Sequence, residues 1–356
     1  MARKVTLQTI AEQLGVSRTT VSNAYNRPDQ LAPELRERVL ATAAQLGYTG
    51  PDAAARRLRS GGREAIGLLF TESLAYAFND PGAVQFLQGF SRATEEAGLA
   101  LLLLPGFAGR PGTSHRGRER KEAVREAVVA GFCAYSLPVD DPDLAAAVER
   151  RLPLVVVDEP RTGEHTFVGI DDRAGARLAA EHLAALGHRR IGVVSFRTAD
   201  DGYSGPLTCE REAAATYPVS AARLEGWREG LEAAGIGWDD VVREERILNA
   251  PEEGALGLRA VLARDAGVTA VLCSTDQMAL GALGAAAEAG RDDLSLVGFD
   301  DIPAAGALGL TTIRQPLMEK GLTAGRLLVD PPADGARPRE IVLPVELVPR
   351  ASTRPA

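Results

Sequence analysis

Arg18, Thr19, Ser22 and Asn23 crowd the short run SRTTVSNAYN, and each carries chemistry suited to a base pair. An arginine donates two parallel hydrogen bonds to guanine, a threonine bonds to a base or touches a thymine methyl, and an asparagine pairs with adenine or a phosphate. No acidic residue lies between Glu12 and Asp29, so no carboxylate on this run opposes the counterion release that supports binding to DNA. A second group centres on Leu58, one large apolar side chain among Arg56, Arg57 and Arg59 in PDAAARRLRSGG at 51–62. That composition suits a minor-groove wedge with flanking phosphate contacts, while composition by itself also fits a basic flexible linker. A third set stands at strand-end or helix-start positions in the body of the chain: Arg223 in ARLEGW, Thr275 and Asp276 in STDQMALGA, and Asp300 in VGFDD. A fixed guanidinium and carboxylates can orient a hydroxyl-rich or other polar small molecule, although each acid would serve as well in a helix cap.

The elements that must hold the first group are legible. Leu7, Ile10, Ala11 and Leu14 share one face of a short helix that Thr6 can cap. Gly15 can end that helix in a left-handed turn, Val16 supplies an apolar plug, and Ser17 caps a second helix from Arg18 to about Tyr25, with Val21 and Ala24 facing inward. Two short helices around a tight glycine turn predict a helix-turn-helix, whose second helix presents its N-terminal residues to base edges in the major groove. A third helix, with Pro33 in its first turn and Leu35, Val39, Leu40, Ala43 and Leu46 as its apolar stripe, closes an all-α core.

Charge divides along the chain. Residues 1–63 carry ten Lys/Arg against five acids, near +5, and the remainder carries 30 basic against 43 acidic residues, near −13, within a total of −8. A basic module on an acidic body is expected. The 356 residues, 45% of them hydrophobic, imply two or three domains with sizeable cores. The start MARKVTLQTI has no apolar leader core, and no apolar run is long enough to cross a bilayer, so a cytoplasmic protein is expected. Cys133, Cys209 and Cys273 are odd in number and widely spaced, which predicts buried thiols rather than disulfides or a zinc site.

From Ala65 onward, apolar runs at 65–70, 99–104, 132–137, 154–158, 190–195, 269–274 and 294–300 read as strands. They alternate with helical patterns at about 83–96, 174–186, 221–234 and 276–289. Such alternation predicts parallel sheets covered on both faces, a doubly wound α/β body with its ligand at the carboxyl ends of the strands. The long polar stretch at 197–220 predicts a mobile loop beside such a site.

VTLQTIAEQLGVSRTTVSNAYNRP, RERVLATAAQLGY and AARRLRSGGREAIGLL together resemble the LacI/GalR family of bacterial transcriptional regulators, and the likeness continues over nearly the whole chain. The resemblance implies a dimeric repressor that binds double-stranded operator DNA of roughly palindromic sequence and answers to a small polar effector, sugar-like by preference. It implies a helix-turn-helix domain at 1–50, a hinge helix and linker at 51–64, and an effector-binding and dimerisation domain at 65–356 of two-lobed, periplasmic-binding-protein-like fold. The lobes would span about 65–188 with 317–344, and about 189–316 with 345–356. DNA contacts carry over to Thr6, Ser17, Arg18, Thr19, Ser22, Asn23, Asn26, Ala55, Arg56, Arg57 and Leu58, the leucine entering the central base step. Effector contacts carry over to Arg223 and Asp300, with Tyr76, Phe78, Asp80, Thr275 and Asp276 around them; Thr275 stands where sugar-responsive members often have asparagine. No apolar heptad follows LPVELVPRASTRPA, which favours a dimer over a tetramer.

No Walker A run, GxSxG elbow or HExxH occurs, and His115, His165, His182 and His188 lack metal-ligand spacing, the last two reading as helix-end structure. No catalytic residue, metal or cofactor is expected. A solute-binding protein without operator control would account for the body alone, but not for the N-terminal module.

Overall fold

The computed structural model describes residues 7–26, 31–46, 65–106, 121–331 and 337–356, in two units, one ending at Glu64 and the other beginning at Ala65. The first unit holds α1 (Leu7–Leu14), α2 (Arg18–Asn26) and α3 (Pro33–Gln45). Gly15 adopts φ 67°, where a β-carbon is disfavoured. The Ser17 hydroxyl accepts a hydrogen bond from the Thr20 amide at 3.0 Å, satisfying one of the donors that a helix N-terminus leaves open. Ile10, Ala11, Val21, Ala24, Val39 and Ala43 form the core, with Leu14, Val16, Leu35 and Leu46 at its margin. One alanine per helix lets the three backbones approach closely.

In chain order the second unit runs β1 (Ala65–Phe70), α4 (Leu74–Ala77), α5 (Pro81–Glu96), β2 (Ala100–Leu104), β3 (Phe132–Tyr135), α6 (Pro142–Glu149), β4 (Leu154–Val157) and β5 (Thr166–Ile170). It continues through α7 (Asp172–Ala185), β6 (Ile191–Phe196), β7 (Gly205–Pro206), α8 (Cys209–Ala213), α9 (Pro218–Ala233), β8 (Val242–Arg246) and α10 (Pro251–Arg264). Then follow β9 (Ala270–Cys273), α11 (Asp276–Glu288), β10 (Ser295–Asp300), α12 (Pro303–Ala307) and β11 (Thr311–Arg314), and finally α13 (Leu317–Val329), β12 (Glu340–Leu343) and β13 (Glu346–Val348). The strands form two sheets, one per lobe. The first is wholly parallel, in the order β12-β5-β4-β3-β1-β2. The second, β13-β11-β10-β9-β6-β8-β7, is parallel except at its edge strands β13 and β7. Helices cover the sheets, as continuous apolar strands such as AIGLLF and AVLC require.

The chain first passes between lobes at Asp171, not near His188. Helix α7 packs on the second sheet and on α9: a β-carbon on Gly175 would lie 3.0 Å from Phe299 and 3.2 Å from Ile313. The small face of α7 meets the small face of α9, where a β-carbon on Gly226 would fall 2.1 Å from the Arg173 carbonyl oxygen. That fit commits α7 to the second lobe. His188 then lies deep within this lobe, its ring nitrogens 2.9 Å from Thr269 Oγ1 and Ser295 Oγ and 3.0 Å from the Arg354 carbonyl. The chain passes between lobes again at Gln315 and at Pro344.

Two further expectations change. Residues 197–220 are built into the second lobe: they hold β7, α8 and the start of α9, with Thr208 capping α8 and Arg211 paired to Asp201 and Glu245. Cys133 and Cys273 are buried, but Cys209 at the head of α8 is exposed.

Candidate functional sites

On α2, Arg18 and Thr19 are exposed and Ser22 and Asn23 are half-buried. Arg18 and Thr19 open the second helix of the motif, the end that reaches base edges in this geometry, and Ser22 and Asn23 lie one turn further along it. Ser17 is exposed as well, but its hydroxyl is engaged in capping, with Thr20 Oγ1 2.8 Å away. Thr6, Ala55, Arg56, Arg57, Leu58 and the side chain of Asn26 lie outside the described residues.

In the second unit, a cavity of about 150 Å³ opens between the lobes at the carboxyl ends of their strands. The first lobe contributes Glu72, Tyr76 and Asp80 after β1, Tyr135 and Ser136 at the end of β3, and Asp158 and Glu159 after β4. The second contributes Phe196 and Arg197 at the end of β6, Tyr217, Arg223, Asn249 after β8, Thr275 after β9, and Asp300 at the end of β10. Three wall residues hold positive φ without being glycine: Ser136 (53°), Asp158 (65°) and Asp300 (126°). Such backbone is costly and concentrates where a side chain must be aimed.

Asn249 ties the lobes together. Its amide N–H donates to the Tyr76 hydroxyl at 2.8 Å, and that hydroxyl donates to the Asn249 carbonyl at 3.2 Å. The Asn249 side chain donates to Asp80 at 3.3 Å and accepts from Thr275 at 2.5 Å. Across the same cleft the Val219 amide donates to Glu159 at 2.9 Å, and Arg197 forms an ion pair with Glu72. The Arg197 guanidinium is sandwiched between Phe196 and Tyr217, 4.9 Å from each ring centroid, an arrangement that favours a desolvated cation. The Tyr217 hydroxyl is buried and has no hydrogen-bond partner among the described residues.

Burial sets the protonation of the walls. It pushes Glu72, Asp80 and Asp300 above the usual carboxylate range, with Arg197 opposing the shift at Glu72 and Arg223 opposing it at Asp300. Burial raises Glu159 to about 8, against its hydrogen bonds from Val219 and Ser136, so near neutrality it is a neutral acid. The same cause raises the Tyr76 and Tyr217 hydroxyls. Arg223 donates to Asp172 at 2.8 Å and to the Ser274 carbonyl at 2.5 Å, with its guanidinium 3.7 Å from the Phe299 ring centroid. Its charge is therefore matched before any ligand arrives. The walls offer many donors and acceptors with little uncompensated charge.

Of the effector set expected from sequence, Tyr76, Asp80, Arg223, Thr275 and Asp300 line the cavity. Phe78 does not: it is 54% exposed and follows the last turn of α4. Asp276 is also absent from the wall. Its buried carboxylate accepts from the Ile302 amide at 2.9 Å and from Thr312 at 2.5 Å, holding the loop after β10 to the start of α11. Glu72, Arg197, Tyr217, Glu159 and Asn249 line the cavity as well, outside the set expected from sequence. They carry no local motif, and only strand-end placement could have suggested them.

The family description "Bacterial regulatory proteins, lacI family" matches residues 6–50, and "Periplasmic binding protein-like domain" matches residues 180–353. The chain is 41% identical over 350 residues to the HTH-type transcriptional regulator Rv3575c of Mycobacterium tuberculosis, covering 97% of this chain and 96% of that protein. The chain belongs to the lacI family of bacterial regulatory proteins. Two solved structures are similar to this lacI-family regulator. A LacI-family transcriptional regulator from Corynebacterium glutamicum aligns with TM-score 0.75 and 36% identity, covering 98% of this chain and 99% of that one. The Lac repressor dimer bound to operator and the anti-inducer ONPF aligns with TM-score 0.77 and 28% identity, covering 99% and 100%. This lacI-family protein is thus a DNA-binding transcriptional regulator under effector control, with relatives that are regulators rather than enzymes. Among its described residues no helix is long and apolar enough to cross a membrane, and no cluster of His, Cys, Asp or Glu could hold a metal ion.

Proposed function

We propose that the protein is a cytoplasmic homodimeric repressor of a pseudo-palindromic operator, and that its effector is a neutral polyhydroxylated molecule of about one ring, a monosaccharide or cyclitol. The cavity carries this reading. Its volume of about 150 Å³ falls well below the roughly 300–1,000 Å³ of pockets for drug-sized ligands and matches an engineered core cavity that admits benzene. Aromatic faces from Tyr135, Phe196 and Tyr217 supply apolar wall, while Glu159, Asp300, Arg223 and the Tyr217 hydroxyl supply donors and acceptors suited to alternating hydroxyls. A strongly charged ligand would meet walls whose charges already have partners. On the DNA side, Arg18, Thr19, Ser22 and Asn23 are the proposed base readers, with Leu58 and its arginines as the proposed hinge contacts.

A thermal-shift screen of pentoses, hexoses, cyclitols and nucleosides tests the effector class, because a ligand that binds only the folded state raises stability with its occupancy. A neutral monocyclic polyol should raise the melting temperature and change the affinity for labelled operator at fixed salt. Stabilisation by nucleosides or organic acids alone would overturn this reading. Linkage requires operator DNA to change effector affinity by the same factor.

A further inference from the structure

Lys320 is 1% exposed and stands behind the cavity wall rather than on it. Its ammonium donates to Asp158 Oδ1 at 2.6 Å and to Gln315 Oε1 at 2.5 Å. The Gln315 amide nitrogen donates in turn to Asp300 Oδ1 at 2.6 Å. Asp158 and Lys320 belong to the first lobe, Gln315 lies in a crossover between lobes, and Asp300 ends β10 of the second. An ammonium has only donors, so it imposes a direction on the relay. Gln315 must turn its oxygen towards Nζ and its NH₂ towards Asp300, so Asp300 Oδ1 is held as the acceptor of that bond. With a neutral side chain at 320 the amide could turn over and present its oxygen to Asp300, favouring a protonated acid there.

Lys320 is also rigidly mounted. A β-carbon on its neighbour Gly321 would fall 2.0 Å from the Phe86 carbonyl oxygen, so α13 and α5 touch backbone to backbone. Asp80, on the cavity wall, caps α5 through the Gly82 amide. The buried ammonium therefore rides on the same rigid helix pair that presents Asp80.

We propose that Lys320 is a positioning residue of the effector response: it sets the donor–acceptor direction of Gln315 at Asp300 Oδ1 and ties Asp158 on the cavity wall to Gln315 in the interlobe crossover. The proposal rests on the cavity being the effector site. A lysine present only to neutralise Asp158 would, when replaced, lower the melting temperature and leave amide exchange at Gln315 and probe affinity unchanged.

The test compares the full-length chain with Lys320→Met and, should that variant fold poorly, Lys320→Gln. One arm follows amide hydrogen exchange without ligand at Gln315 and Leu317, whose N–H groups donate to Asp300 O at 3.4 Å and Gln315 O at 2.9 Å. The other measures affinity for D-glucose and myo-inositol as probes. Exchange at these two amides should rise about tenfold relative to amides within α9, and the affinity of a probe that binds the wild type should fall about tenfold or more, as for loss of a hydrogen bond to a charged group. Unchanged exchange at Gln315 and Leu317, with only the melting temperature lowered, would overturn the proposal. If no polyol shifts the wild-type protein, the effector reading fails, while exchange at Gln315 still decides the role of Lys320.

Discussion

Glu159 offers a prediction whose magnitude follows from its surroundings. Its carboxyl group is held by Ser136 Oγ at 3.0 Å and the Val219 amide at 2.9 Å, and burial lifts it from the ordinary 4.5 to about 8. The folded protein therefore binds a proton that the unfolded chain releases between these values, and stability falls as pH rises through that window. The favourable contribution is fully present below about 4.5 and lost by about 8. At about 1.36 kcal/mol per pH unit, the loss across the window amounts to about 5 kcal/mol. Glu159→Gln copies the neutral form: its oxygen can accept from Val219 and its NH₂ can donate to Ser136. The variant should match the wild type within about 1 kcal/mol near pH 5 and exceed it by about 5 kcal/mol near pH 9. For a unit of this size that is roughly 10 °C in melting temperature. Trp227 and Trp238, the two tryptophans of the chain and both in the second lobe, report the transition by fluorescence at fixed salt. Other buried groups, including Asp276, raised to about 6 chiefly by burial, titrate in both proteins and cancel in the difference. A gap independent of pH, or one that narrows with rising pH, would refute the assignment of a neutral Glu159.

Tyr76→Phe removes the hydroxyl that accepts from and donates to Asn249 across the cleft; the loss of about 1–3 kcal/mol should weaken ligand binding at least several-fold and enlarge the solution radius of gyration, and a folded variant unchanged in both would show that the tie does not hold the lobes. Asp276→Ala should lower stability by about 2–4 kcal/mol by leaving the Ile302 amide and the Thr312 hydroxyl without their acceptor, while ligand affinity in the folded variant stays within about threefold; isothermal titration showing a much larger loss would return Asp276 to the binding site. Arg18→Ala should relax discrimination at one base-pair position by about 1–3 kcal/mol, measured by competitive titration of operator variants at fixed salt, and equal losses on specific and random DNA would contradict base reading.

The apolar strands were legible because burial on both faces leaves an unbroken signature: AIGLLF, AVLC and SLVGFD appear as observed strands within a residue or so of their apolar runs. Strand β8 was not, since VREER reads as a solvated segment. It is buried only because each charge finds a distant partner: Arg243 pairs with Glu212, Glu244 with Arg264, and Glu245, 0% exposed, with Arg211 and the Thr198 amide. Removing one member of such a pair strands a buried charge, so these pairings are strict in the fold and silent in local composition. Helix α7 shows a related limit. Its apolar period predicts a helix, but which sheet it covers depends on the match of Gly175 and Ala176 to Phe299, Ile313 and Gly226, residues remote in sequence.

The cavity follows the same logic at higher stakes. Arg223 and Asp300 could be picked out by type and strand-end position, yet what each can do is decided by neighbours far along the chain. Asp172, 51 residues away, takes up the charge of Arg223, and Gln315, itself oriented by Lys320, holds Asp300 Oδ1 as an acceptor. Asn249 has no motif and meets Tyr76 across 173 residues, but that contact makes the cleft a two-lobed site rather than the rim of one sheet. A ligand that replaces or reinforces these cross-lobe bonds changes the free energy of one lobe arrangement relative to another, and only such a difference can shift a population. The capacity to respond therefore resides less in residues of recognisable type than in pairings that exist only once both sheets are formed.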